Sequence, residues 1–266
     1  MPARYLDIAA DLQRRIDAGE WAPDERLPGA GALARHYEAG RPIIAEAIGV
    51  LELNGKVRVR PQSGTYVLPS VPGVTPSNMP VDLGHQVRRN DLGYVFARPS
   101  GHWPPVGTPT RGWADCPAEV AALLEVEPGS RVFTRRRAVG PDGRAVQLTT
   151  SYYPHDIAAG TPIEQADTGP GGVYDRLEQD LGHGPLTWTA QTSARLPTTE
   201  EADVLNMSTR LPVLVNTRAA ANPDHRVVAV DVAVLDAQLF AVRWEITRDE
   251  SAAWPVTPAT ARNKPS

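Results

Sequence analysis

The sequence predicts an α+β protein of two domains: three helices with a two-stranded wing, then one antiparallel sheet with helices packed on it. Three observations carry this. Ile44, Ala47, Ile48 and Leu51 recur at helical spacing within the stretch from Arg26 to Val67. Pro69, Pro72, Gly73, Pro76 and Pro80, set among small and polar residues, then divide the chain. Beyond them, a shift of 81 residues aligns the segment starting at Ala121 with that starting at Ala202, without a gap through Val227. These features place the domains at 1–68 and 91–250, a proline-rich linker at 69–90 and a flexible tail at 251–266.

The first helix is expected from Arg4 to Ala18, where Tyr5, Ile8, Ala9, Leu12 and Ile16 form one stripe and Gly19 follows as a stop. Leu33, Ala34 and Tyr37 suit a shorter helix, and Ala39-Gly40 supplies a turn. Pro42 fits the opening turn of the next helix, where its missing N–H costs nothing. That helix should bury Ile44, Ala47, Ile48 and Leu51 and turn Ala45, Glu46, Gly49 and Glu52 outward. Asn54-Gly55 ends it. Val57 and Val59, then Thr65, Tyr66 and Val67, read as strands around Gln62-Ser63-Gly64. The result is a helix-turn-helix with a wing.

In the second domain each repeat reads helix, strand, turn, strand. Leu124 meets Leu205, Val132 meets Val213, Arg137 meets Arg218 and Val146 meets Val227. Pro141-Asp142-Gly143 and Asn222-Pro223-Asp224 are the matched turns. Thr198 to Glu201 has the spacing of a capping box, and Pro117 suits a first helical position. Two such units should share the sheet.

Composition narrows the function. The 266 residues carry a net charge of −4, yet residues 1–68 hold nine Lys/Arg and nine Asp/Glu, so the excess lies beyond them. A single cysteine, Cys116, excludes an intramolecular disulfide framework and a multi-cysteine zinc site; next to Pro117 it reads as a packed residue. No signal peptide or long apolar run is evident, so a soluble cytoplasmic protein without membrane contact is expected. Nucleotide-binding glycine loops and metal-ligand clusters are absent from the sequence, and no cofactor is expected.

The order LP…ALA…Y…GRP.I..AI.VLE.NGKV…R..SGTYV, over residues 4–67, resembles the winged helix-turn-helix of the GntR family of bacterial transcription regulators. Three positions depart from the family pattern: Gly31 and Ala45 stand where arginines are usual, and Gln62-Ser63-Gly64 replaces Gly-Arg-Gly in the wing. The resemblance implies a double-stranded DNA operator as partner, contacted here by Arg35, Arg41, Arg58, Arg60, Gly64 and Thr65.

Residues 90–248 resemble the UTRA effector-binding domain of the HutC-like branch of that family. The segments that carry this are RRRAVGPDGRAVQLTTSYYP (135–154), TPIEQADTGPGGVYDRLEQDLGHGP (161–185), ARLPTTEEADVL (194–205) and VDVAVLDAQLFAVRWEI (230–246). That resemblance implies a chorismate-lyase-like fold, a small-molecule pocket on the sheet and a homodimer. Arg135 and Arg137 alternate on one strand, and Thr149 and Ser151 have the same spacing on its partner. Two guanidiniums and two hydroxyls suit an acidic or phosphorylated effector; surface ion pairs or a dimer contact are the alternative use of these arginines. Gly171 and Gly172 precede a helix whose open N–H groups suit an anion, or they serve a tight loop. Trp103, Trp113, Trp188 and Trp244 would line the pocket or fill the core.

Two functions follow from these readings. One is a ligand-responsive regulator whose homodimer binds a palindromic operator. The other is a repurposed member with a degenerate DNA-binding domain that binds or transforms a small molecule, with His155, Asp156, Asp231 and Asp236 as acid/base candidates among histidines that are otherwise scattered singly.

Overall fold

A computed structural model describes residues 4–69, 79–82, 88–90, 93–95, 103–243 and 248. Helix α1 (Arg4–Asp17) buries Ile8, Ala9, Leu12 and Ile16. Those four side chains meet Leu33 of α2 (Ala30–His36) and Ile44, Ala47, Ile48 and Leu51 of α3 (Arg41–Leu53) in one core, which Trp21, Leu27, Val57 and Val67 close. Strands β1 (Val57–Arg60) and β2 (Gly64–Val67) pair antiparallel as the wing, and Arg26 bridges to Tyr66 at its outer side. Gln62 at the tip has φ 60°.

One expectation for α3 fails. Glu52 is buried, not outward. Helical periodicity does place it on the outer stripe with Ala45 and Gly49, but the sheet domain covers that end of the stripe.

Within the segment read as a linker, β3 (Met79–Asp82) pairs in parallel with β12 (Phe240–Arg243), and β4 (Arg88–Asn90) forms a small hairpin with β5 (Gly93–Val95). The tail from 251 and Trp244 lie outside the described residues.

The second domain is built on β6 (Pro105–Asp115), β7 (Arg131–Val139), β8 (Gln147–Pro154), β9 (Thr187–Arg195), β10 (Val213–Ala221) and β11 (Val227–Asp236), with helices α4 (Ala118–Leu124), α5 (His155–Ala158), α6 (Gly172–Asp175) and α7 (Thr199–Val204). The sheet order is β6-β7-β8-β11-β10-β9, antiparallel throughout. The repeat is visible in this order: β6-α4-β7-β8 and β9-α7-β10-β11 meet at the central β8–β11 pair. Each half adds a leading edge strand that the sequence pattern does not show.

Helices α4 and α7 cover one face. Val120, Ala121 and Leu124 pack on Val132, Ala219 and Val230, while Ala202 and Leu205 pack on Leu148, Val213, Val215 and Val234. On the other face, Phe133, Tyr153 and Ala220 carry Ile157, Ile163 and Leu177. Cys116 is buried in the α4 cluster, and burial raises the pKa of its thiol. Pro117 sits at the N-cap of α4, one residue before the position expected.

The capping box of α7 forms in full. The Glu201 N–H donates to the Thr198 hydroxyl at 3.2 Å, and the Thr198 N–H donates to the Glu201 carboxylate at 2.8 Å. Thr198→Ala is expected to lower stability by about 1 kcal/mol in urea unfolding, because an orphan helix N–H loses its acceptor.

Candidate DNA-binding face and effector site

The nine cations of residues 1–68 divide into two sets. Arg14 pairs with Asp11, Arg15 with Glu20 and Lys56 with Asp17, and Arg4 donates to the carbonyls of Tyr37 and Glu38. Arg58 is turned into the domain contact, 5% exposed, and pairs with Asp203 of α7. This corrects its expected role as a phosphate contact: in this conformation the wing does not present it. Arg26, Arg35, Arg41 and Arg60 have no ion pair among the described residues. A net charge of zero therefore resolves into a compensated rear and a cationic front.

The front is organised around a cleft of 360 Å³ lined by Arg26, Leu33, Ile48, Arg60, Gly64 and Thr65. Arg60 stacks over the Tyr66 ring at 4.7 Å. Arg26, which sequence reasoning missed, lays its guanidinium against Gly64, where φ of +122° and the close approach both require glycine. Across the cleft, Arg41 Nη2 lies 3.5 Å from where a Cβ on Gly31 would stand, and Arg35 Nε donates to the Gly31 carbonyl. Arg41 fills the space beside Gly31, and Arg26 brings a cation to a wing that has Ser63 at its tip. Ala45 and Glu46 remain exposed on α3 with no cation in their place.

On the sheet, register sets the second site. Arg111, Arg135, Ser151, Asp231 and Arg218 stand opposite one another on five successive strands and so share one face. The next row of that face is Arg137, Thr149, Ala233, Asn216 and Thr192. Arg135, Arg137, Thr149 and Ser151 therefore do share a face.

Their engagements differ. Arg135 donates to the carbonyls of Ile163, Gln165 and Ala166 at 2.8, 2.5 and 3.0 Å, and so pins the loop before α6. Burial lowers its pKa, as do the nearby Arg111 and Arg137 charges. Thr149 accepts from the Gln147 amide at 2.9 Å. Arg137 is exposed, with no ion pair among the described residues.

Asp231 is the hub of the first row. Arg218 Nη2 donates to it at 2.8 Å and the Tyr174 hydroxyl at 2.7 Å. Burial alone would raise its carboxyl, but the Arg218 charge and hydrogen bonds from Ser151, Arg218 and Tyr174 outweigh that and hold its pKa below the ordinary value. Burial, then the Asp231 charge, pushes the Tyr174 phenol well up, which keeps it a donor.

Gly171 and Gly172 both have left-handed backbones, and the Asp175 carboxylate folds against Gly171 where a Cβ would collide. Helix α6 spans four residues. The tight-loop reading accounts for both glycines, and the start of α6 faces its own carboxylate in place of open space.

Both domains match known protein families. Residues 4–67 match the bacterial regulatory proteins of the gntR family, and residues 110–241 match the UTRA domain. The chain belongs to the GntR family. It is 25% identical over 255 residues to an uncharacterized HTH-type transcriptional regulator of Streptomyces coelicolor, covering 94% of each chain. It is 24% identical to the HTH-type transcriptional regulator GgaR of Escherichia coli over 89% of this chain and 88% of that one. A crystal structure of a GntR-family transcriptional regulator superposes with a TM-score of 0.55 at 24% identity, covering 93% of this chain and 99% of the other. As a GntR-family regulator with a UTRA domain, the protein binds DNA and responds to a small-molecule effector.

For a GntR-family chain, the residues missed by sequence reasoning are Arg26, Arg111, Tyr174, Asn216 and Arg218. The repeat already aligned Arg218 with Arg137, a signal that was available. The acid/base candidates are engaged separately. His155 packs on Trp113, Asp156 pairs with Arg226 at 2.7 Å, Asp236 accepts the Gln238 N–H, and Asp231 is the hub just described. Trp113 and Trp188 pack in the core, and Trp103 packs on Phe240. Among the described residues no helix is long and apolar enough to cross a membrane.

Proposed function

We propose that this regulator acts in the cytoplasm as a homodimer on a palindromic operator, and that its effector is a small acidic or phosphorylated molecule held on the sheet face of the UTRA domain. The observation that carries the reading is the guanidinium cluster. Arg111 and Arg135 stand opposite each other in one row and Arg137 follows in the next, while the buried carboxylate of the first row, Asp231, is taken by Arg218. Like charges gathered on one face favour an anion, and the exposed Arg137 is the group open to bind it.

The hydroxyls and amide of Thr149, Ser151 and Asn216 would orient the polar body of the ligand, while Arg135 acts by holding the 163–166 loop. On the DNA side, Arg26, Arg35, Arg41 and Arg60 contact phosphates, with Gly64 and Thr65 letting the wing approach the backbone.

The test pairs two titrations. Fluorescence anisotropy of the upstream duplex against an unrelated duplex should show preference for the former, weakening steeply as salt rises. Phosphorylated sugars should raise Tm more than their unphosphorylated counterparts, and Arg137→Ala should abolish the difference. Equal shifts from both forms would overturn the anionic effector.

A further inference from the structure

The winged helix and the UTRA domain meet across a polar contact built on α3. Ala45, Gly49 and Glu52 follow at spacings of four and three, so they form one stripe along the helix. A recognition helix lays the beginning of such a stripe in the major groove. Here the far end is occupied by the chain's own second domain.

Glu52 is 4% exposed. Its Oε1 accepts the Ser208 hydroxyl at 2.7 Å and the Val59 N–H at 3.2 Å, and its Oε2 faces Arg210 at 3.4 Å. The Arg210 guanidinium also reaches back over Gly49, 3.3 Å from where a Cβ would stand. Beside it, Asp203 takes Arg58 from the wing, and the Asn206 amide donates to Asp24 at 2.9 Å.

Asp203, Asn206, Ser208 and Arg210 all come from the end of α7 and the loop leading into β10. Strand β10 in turn carries Asn216 and Arg218 of the polar rows. The contact joins buried groups to open ones: Glu52, Arg58 and Ser208 are buried, while the side chains of Asp203 and Arg210 are 61% and 55% exposed. Each ion pair across it thus has one partner open to water and salt, which lowers its worth below that of a fully buried pair.

We propose that residues 203–210 are a docking surface for the winged helix, and that the docked state restrains DNA binding. Docking places Arg210 over the recognition stripe at Gly49 and withdraws Arg58 from the cationic front. A ligand that displaces β10 reaches this contact through the chain itself, and so shifts the docked population. The inference rests on the operator-binding reading given above.

The test is the double variant Asp203→Asn, Arg210→Ala. Both residues are exposed, neither belongs to the polar rows or the cationic front, and the pair of changes leaves the net charge unaltered. In solution scattering without DNA, the radius of gyration should rise as the winged helix is released. On the upstream duplex, affinity should increase several-fold, and the slope of log K against log salt should steepen by about one as Arg58 takes a phosphate. An unchanged radius of gyration would overturn docking. A released winged helix with unchanged or weaker affinity and the same slope would overturn the restraint. Failure of the wild-type protein itself to prefer the upstream duplex would count against the operator reading, leaving scattering to decide the docking.

Discussion

Arg218→Met is expected to destabilise the UTRA domain by about 3 kcal/mol near neutral pH, because it leaves the Asp231 carboxylate buried without its counter-charge. The pH dependence should change sign. In the wild-type protein Asp231 is held below its ordinary pKa. It therefore contributes stability above the ordinary carboxylate range, and that contribution is lost as pH falls through the depressed value. Without Arg218, burial dominates and raises the pKa, so the variant's deficit should grow as pH rises through the carboxylate range and shrink below about pH 4. Urea unfolding at several pH values checks this. A deficit independent of pH would mean that the lost packing of Arg218, and not the stranded charge, sets the cost. The double replacement Arg218→Met, Asp231→Leu should recover much of the loss, since neither charge is then stranded.

The second large effect concerns DNA. Alanine at Arg26, Arg41 and Arg60 together should weaken operator binding by roughly tenfold per arginine and flatten the salt slope by about three, since each contact neutralises one phosphate. Arg26→Ala alone should flatten the slope by about one. Arg14→Ala, on the compensated side of the domain, should leave the slope unchanged. Anisotropy titrations over a range of salt give all of these values. If Arg26 and Arg14 behave alike, the sorting of cations into front and rear does not govern binding.

The elements with one buried face were legible in the sequence. The stripes of α1 and α3 lie where their periodicity puts them, because an isolated helix and a packed one have the same period. The repeat was legible for the same reason: Leu124, Val132 and Val146 recur as Leu205, Val213 and Val227, since both halves pack equivalent rows against a helix. Strands β6 and β9 were not. They stand at the sheet edges, where most of their residues are exposed, so neither carries the alternation that marks a strand. Pro105, Gly107 and Pro109 further obscure β6.

Site residues failed at longer range. Helix geometry turns Glu52 outward and the family resemblance makes Arg58 a DNA contact; what buries both comes from residues some 150 positions later in the chain. Arg218 and Asp231 sit on adjacent strands, but only the register of β10 on β11 makes them partners. Arg135 was correctly placed beside Arg137. Its three carbonyl partners lie in a loop whose path no period encodes.

The symmetric order of the sheet also bears on how the chain folds. The central pair joins β8 to β11, whose paired residues are roughly 80 positions apart, while the winged helix is closed within its first 68 residues. During synthesis the N-terminal domain can therefore fold as soon as it is made. The half-sheet β6-β7-β8 must wait with the β8 edge unpaired until β11 emerges. Leu148 and Tyr152 stand on that waiting strand, so self-association of nascent chains is most favoured in this interval, and a pause in translation between the two repeats would prolong it.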